Sequence, residues 1–173
     1  ELSLDEIYDV ILQAKELGAR KIIILGGEPM ISPRTMETLT FVRDNGLKSE
    51  IFTNGTSITE EIAGRLYDLG VQVVLKMNSL DEIIQTELAG VKAAHRTIQD
   101  TFRSLRTAGF PAEGHMLAVS TIICTPNLPE ITRMWRWLRD QQITPYFEIM
   151  TPQGNADTAT LHKVFSELAE IDR

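Results

Sequence analysis

The sequence predicts an α/β fold in which helices and strands alternate along a parallel sheet. Three observations carry this. Four consecutive large apolar residues, Ile22 to Leu25, stop abruptly at Gly26-Gly27. An uninterrupted apolar run suits a strand covered on both faces. Segments of helical period end at Gly18, Gly46, Gly70 and Gly109, the place just past a helix where a left-handed residue satisfies the last carbonyls. A strand-like run follows each glycine, so the chain reads as a series of βα units.

The elements follow in order. The first helix repeats Leu4, Ile7, Ile11, Ala14 and Leu17 at three- and four-residue steps, which gives it one face to pack on a sheet. The first strand is 22–25. Ser32-Pro33 then reads as a cap residue with proline at the first helical position. A strand at 47–52 precedes Thr59-Glu60-Glu61, a capping hydroxyl before two acids that favour the positive end of the next helix. The strand at 71–77 ends in the polar cluster Asn78, Ser79 and Asp81, and a polar helical stretch with Gly90 follows. A strand at 116–124 leads to a helix from 129 to about 141. There Arg133, Arg136 and Arg139 recur beside Trp135 and Trp137, as on a solvated outer face. The last expected elements are a strand at 146–150 and a helix at 159–171. No linker or change of composition interrupts the series, so 1–173 reads as one domain.

Composition excludes several classes. With 43% hydrophobic residues the chain is too apolar for disorder, and no apolar run approaches the ~20 residues of a membrane span. A formal charge of −7 argues against a nucleic-acid surface dominated by phosphate contacts. The lone Cys124 excludes an internal disulfide framework. With no secretory leader pattern, the expectation is a cytoplasmic protein. His95, His115 and His162 are dispersed and lack the spacing of metal ligands. No G-x-S-x-G, P-loop or dinucleotide fingerprint occurs.

The chemistry concentrates where the first strand stops. Gly26 and Gly27 lack Cβ atoms, so the backbone can take unusual dihedrals and a ligand can approach its peptide groups. Glu28 places a carboxylate at the carboxyl end of the strand, where βα folds bind ligands, and Pro29 cannot continue the ladder. At a strand-end rim, Glu28 is expected to support no core packing. The plain alternative is a tight βα turn with Glu28 facing solvent.

KIIILGGEP resembles the S-adenosylmethionine-binding turn of radical SAM enzymes. The resemblance implies that Gly26, Gly27 and Glu28 hold the amino group of the cofactor's methionine. Thr53-Asn54-Gly55 is similar to that family's TNG turn one βα unit later, so Thr53 and Asn54 would border the cofactor. LKMNSLDEIIQTELAG resembles its S-L-D signature, with Ser79 facing the cofactor's carboxylate or ribose. From the residues alone, Ser79 or Asp81 is equally a helix cap, and the two roles are compatible. In VSTIICTPNLPE, Ser120 or Thr121 would project inward, and Asn127-x-x-Glu130 is similar to a frequent helix start in which Asn127 serves as a cap. TPYFEIMTPQGNA resembles the family's last strand, whose backbone receives adenine, with Met150 on the inner side.

One asymmetry bears on the cluster. The chain opens with a helix, whereas βα barrels open with a strand. The expected architecture is therefore a partial (β/α)6 TIM-like barrel whose first strand lies upstream of Glu1. In radical SAM enzymes the loop after that strand carries CxxxCxxC, which binds a [4Fe–4S] cluster. Cys124, near the end of a predicted strand, reads as a small buried hydrophobe. The cluster ligands are thus expected outside this chain, which alone would be inactive. The implied activity of the parent protein is reductive cleavage of S-adenosylmethionine to a 5′-deoxyadenosyl radical that abstracts hydrogen. Its substrate would be a small molecule or peptide, and its electron donor a flavodoxin or ferredoxin. The turn at 152–156 is similar to that of members continuing into a cysteine-rich domain. An unpaired sheet edge would favour a dimer of the fragment. Two alternatives stay open: a phosphate-binding βα-barrel lyase or isomerase, for which Gly154 would serve the phosphate turn, and a cluster-less relative that only binds the cofactor or a partner.

Overall fold

In the computed structural model, residues 2–149 are described. The elements in order are α1 (Leu4–Glu16), β1 (Lys21–Ile24), α2 (Thr35–Asp44), β2 (Lys48–Thr53), α3 (Glu60–Asp68), β3 (Gln72–Lys76), α4 (Glu82–Ala89), α5 (Ala94–Ala108), β4 (Leu117–Ile123), α6 (Ile131–Asp140) and β5 (Thr144–Ile149). Short 3₁₀ turns, Pro29–Ile31 and Leu128–Glu130, precede α2 and α6. The strands form one open sheet in the order β1-β2-β3-β4-β5. Ile23 pairs in parallel with Glu50, Ile51 with Val73, and Ser120 with Tyr146. The predicted βα succession is present, and the expected strand at 146–150 begins two residues earlier.

The described residues divide into two compact units, 2–75 with Thr97–Leu117, and Lys76–Arg96 with 118–149. In the first, α1 starts with a capping box: Ser3 Oγ accepts from Glu6 N–H, and Ser3 N–H donates to the Glu6 carboxylate. Ile11 then packs with Val42 and Leu47, supported by Ile7, Ile22 and Phe41. Leu17, the last residue of the predicted apolar stripe, sits past the helix end and is 90% exposed. In the second unit, Ile123, Leu128 and Ile131 form a core on which Phe147 packs.

Two expectations need correction. The apolar run 22–25 is not covered on both faces: Ile23 and Leu25, two positions apart and so on one face, are 47% and 64% exposed. Runs of consecutive buried residues lie instead in β2 (Ser49, Glu50 and Ile51), in β3 (Val73, Val74 and Leu75) and in β4 from Leu117 to Thr121. Ser32-Pro33 does not begin α2. Ser32 N–H instead closes the 3₁₀ turn on Pro29 O, and α2 starts at Thr35 with no side-chain cap. The Glu28 carboxylate caps that turn by accepting from Met30 N–H, so one extra turn is inserted before the helix.

The core makes one stability expectation definite. Leu66 on α3 is fully buried, and Leu66→Ala should cost about 2–5 kcal/mol, read as a lower urea midpoint with an unchanged slope.

Candidate functional site

The site residues lie at the carboxyl ends of the strands, and each unit assembles its own group. In the first unit β1 ends at Ile24, and Gly26 follows with φ +147°. A side chain is strained in that backbone, and a Cβ on Gly26 or Gly27 would meet nothing within 4 Å. Glycine is therefore required by conformation at Gly26 alone, and both residues are exposed, which leaves their peptide groups open to a ligand. Glu28 turns back across the strand end and gathers three donors. Its Oε1 accepts from Thr53 Oγ1 at 2.7 Å and Met30 N–H at 3.1 Å, and its Oε2 accepts from Asn54 N–H at 2.6 Å. Each carboxylate oxygen has about two acceptor sites, so Oε1 is filled and Oε2 retains room for one further donor. Glu28 is thus not a free solvent-facing acid. It also fastens the 3₁₀ turn and the 53–55 turn by hydrogen bonds, a structural role that the expectation about core packing did not consider.

The 53–55 turn is fixed from within. Thr53 is fully buried, and its Oγ1 accepts from Gly55 N–H at 3.0 Å while donating to Glu28. Asn54 Oδ1 accepts from Thr56 N–H at 2.9 Å, so its side chain shapes the loop and is exposed.

In the second unit, Ser79 is fully buried. Its hydroxyl donates to the Glu130 carboxylate and accepts from Asp81 N–H at 2.9 Å. Asp81 is the cap of α4, accepting from Ile83 and Ile84 N–H. Gln85, from α4, takes Asn78 N–H and Ser79 N–H on its Oε1 at 2.7 and 3.0 Å. Glu130 is 7% exposed and also pairs with Arg133 Nη2 at 2.7 Å. Asn127 makes no side-chain cap bond, which corrects its expected role. It is instead a staple: Oδ1 accepts from Cys124 N–H, and Nδ2 donates to Asn78 O and Ile122 O. Ser120 lies buried in β4, and its carbonyl accepts from Met77 N–H. Met150, with the turn and helix expected after it, lies outside the described residues.

The structure therefore brings Gly26, Gly27, Glu28, Thr53 and Asn54 into one group, and Ser79 into another with Glu130, Asn127 and Gln85. Sequence reasoning missed Gln85 and passed over Glu130. The Asn127-x-x-Glu130 spacing was the only available signal for the latter.

The model of the Radical SAM superfamily matches residues 1–137. The chain belongs to the radical SAM superfamily. Among curated radical SAM relatives, the AdoMet-dependent heme synthase of Methanosarcina barkeri (strain Fusaro / DSM 804) is 28% identical over 159 residues, covering 91% of this chain and 44% of that protein. Streptococcus suis SuiB bound to the precursor peptide SuiA superposes with TM-score 0.74 at 18% identity, covering 98% of this chain and 39% of that one. Native anSMEcpe with bound AdoMet gives 0.73 at 12% identity, covering 95% and 49%. Both show the shared fold. The chain spans less than half the length of each of these proteins.

Radical SAM membership implies two groups, S-adenosylmethionine and a [4Fe–4S] cluster, and this chain treats them differently. The uncovered Gly26-Gly27 backbone and the open acceptor site of Glu28 Oε2 suit an ammonium-bearing ligand. The cluster finds no fit. Cys124 is buried, and burial pushes its thiol up against the opposing hydrogen bond from Asn127 N–H, whereas a metal ligand must be the thiolate. Among the described residues no three His, Cys, Asp or Glu side chains gather to hold a metal.

The Asn127 staple yields a testable outcome. Asn127→Ala removes the partners of three backbone groups, each costing about 1–3 kcal/mol when buried and unpaired. Asn127→Asp should be nearly as damaging in urea unfolding, because it keeps the acceptor for Cys124 N–H but offers no donor to Asn78 O and Ile122 O.

Proposed function

We propose that this chain is the S-adenosylmethionine-holding portion of a radical SAM enzyme. The observation that carries the reading is the Glu28 carboxylate, held by Thr53 Oγ1, Met30 N–H and Asn54 N–H with an acceptor site left on Oε2. Glu28 takes the methionyl ammonium there, and the peptide groups of Gly26 and Gly27 lie alongside the methionyl moiety. Thr53 and Asn54 hold Glu28 in place, and Ser79, Ser120 and Met150 are further cofactor-binding residues in this reading. The whole protein reductively cleaves the cofactor to abstract hydrogen from substrate. Its [4Fe–4S] cluster is held by residues other than those described, and its electron donor is a flavodoxin or ferredoxin. The peptide seen on SuiB supports a peptide or small-molecule substrate.

Glu28→Gln tests this reading. It removes the charge that meets the ammonium, and a charge-assisted hydrogen bond contributes about 1.5–3 kcal/mol. Calorimetric titration should show S-adenosylmethionine affinity falling by about one to two orders of magnitude. Because a glutamine offers an acceptor at only one terminal atom, stability should also drop, by about 1 kcal/mol. Unaltered cofactor binding with a large loss of stability would make Glu28 purely structural.

The partner expected at the sheet edge is also a proposal. β1 ends the strand order and, with residues of α1 and α2, lines a groove of about 510 Å³ that includes Ile7, Ile22, Ile24, Leu25 and Thr35, and edge peptide groups pair readily with another strand. Light scattering of the 173-residue chain should show self-association that Ile23→Lys suppresses. A concentration-independent monomer would refute it.

A further inference from the structure

The turn that positions Glu28 is itself held from a distant helix. The Gly55 carbonyl accepts a hydrogen bond from Thr101 Oγ1 of α5 at 3.0 Å. Thr101 is 1% exposed and lies on the buried stripe of α5 with Ile98, Phe102 and Leu105. A hydroxyl in such a stripe is costly unless it is paired, and in mid-helix it commonly bonds back to a carbonyl of its own helix. This one bonds to Gly55. The approach is close: a Cβ at Gly55 would meet Thr101 Oγ1 at 2.4 Å and Leu75 Cδ1 at 3.1 Å, and Gly55 has φ +86°. Gly55 N–H then donates to Thr53 Oγ1, which donates to Glu28 Oε1. The neighbouring Asn54 N–H donates to Glu28 Oε2. Hydrogen bonds relayed through the Gly55 backbone thus join α5 to Glu28 Oε1, and the adjoining residue Asn54 reaches Oε2.

We infer that Thr101 is a positioning residue for the cofactor site, fixing the Glu28 carboxylate through the Gly55 carbonyl. The inference rests on the proposed binding of S-adenosylmethionine at Glu28. Thr101 touches no ligand. It holds the 53–55 turn at the height where Thr53 Oγ1 and Asn54 N–H both reach Glu28, so that Oε2 faces the ligand in one orientation. Nothing in the sequence marks Thr101, which sits in an amphipathic helix far from every recognised turn.

The test compares Thr101→Val, which keeps the shape and removes the donor, with Thr101→Ser, which keeps the donor. The full chain is titrated with S-adenosylmethionine, and amide hydrogen exchange is followed at Asn54 and Gly55. Thr101→Val should weaken binding by roughly three- to tenfold, the range of one lost neutral hydrogen bond, and accelerate exchange at both amides. Thr101→Ser should restore both. In a Glu28→Gln background, Thr101→Val should have little further effect on affinity, because the two act through one carboxylate. Wild-type affinity in Thr101→Val, or the same penalty with and without Glu28, would overturn the inference while leaving the Glu28 assignment standing. Wild-type affinity in Glu28→Gln would overturn both. If Thr101→Val does not fold, Thr101→Ala is read by the same criteria.

Discussion

A parallel strand that stops inside a folded chain leaves peptide groups that the ladder no longer pairs, and those groups must find other partners. This constraint shapes the rim of the sheet more than any single contact. At the end of β1 and β2 the partner is a carboxylate, with Glu28 accepting from Met30 N–H, Asn54 N–H and the Thr53 hydroxyl. At the end of β3 and β4 the partners are amides. Asn127 pairs with Cys124 N–H, Asn78 O and Ile122 O, Asn78 Oδ1 takes Ile122 N–H, and Gln85 takes two N–H groups beyond β3. The contrast has a chemical reading. An amide satisfies donors and acceptors together and is neutral, so it closes a strand end. A carboxylate satisfies donors alone and keeps a charge, so it closes a strand end and still attracts a cation.

The same constraint ties the proposed cofactor binding to stability at this rim. Side chains that face a ligand must be rigid to bind well, and rigidity comes from the hydrogen bonds that also fasten the loops. Ser79 shows the limit of that overlap. Its hydroxyl is engaged by Glu130 and Asp81 N–H, so its one proton is already committed. The charge of Glu130 is met on its other oxygen by Arg133, which lets a nearly buried acid persist beside Ser79. At the other sheet edge from β5, the Lys21–Glu50 pair at 2.7 Å ties β1 to β2 where apolar cover is thin.

Much of the fold was legible because it rests on local signals. The glycines ending α1, α2, α3 and α5, the Thr59 cap of α3 and the strand runs between them depend on residues within a few positions, and the chain bears them out. The turn at Gly26-Gly27 and the chain's membership of the radical SAM superfamily were legible for the same reason. The start of α2 was not, because it depends on the Glu28 side chain reaching forward to Met30 N–H and adding a 3₁₀ turn. Nor was the exposure of β1. An apolar run reads the same whether or not other elements cover both of its faces, and that cover is decided by packing across the chain.

The sequence by itself determined the alternation of elements, the places where strands stop, and the chemical character of the residues at those stops. Tertiary structure decided what those residues do. Glu28 meets Thr53 across twenty-five positions, Thr101 meets Gly55 across forty-six, and Glu130 meets Ser79 across fifty-one. No periodicity or short motif encodes a hydrogen bond at such separations. The partner is chosen only when parallel packing brings successive strand ends side by side and each buried polar group takes the nearest complement left to it.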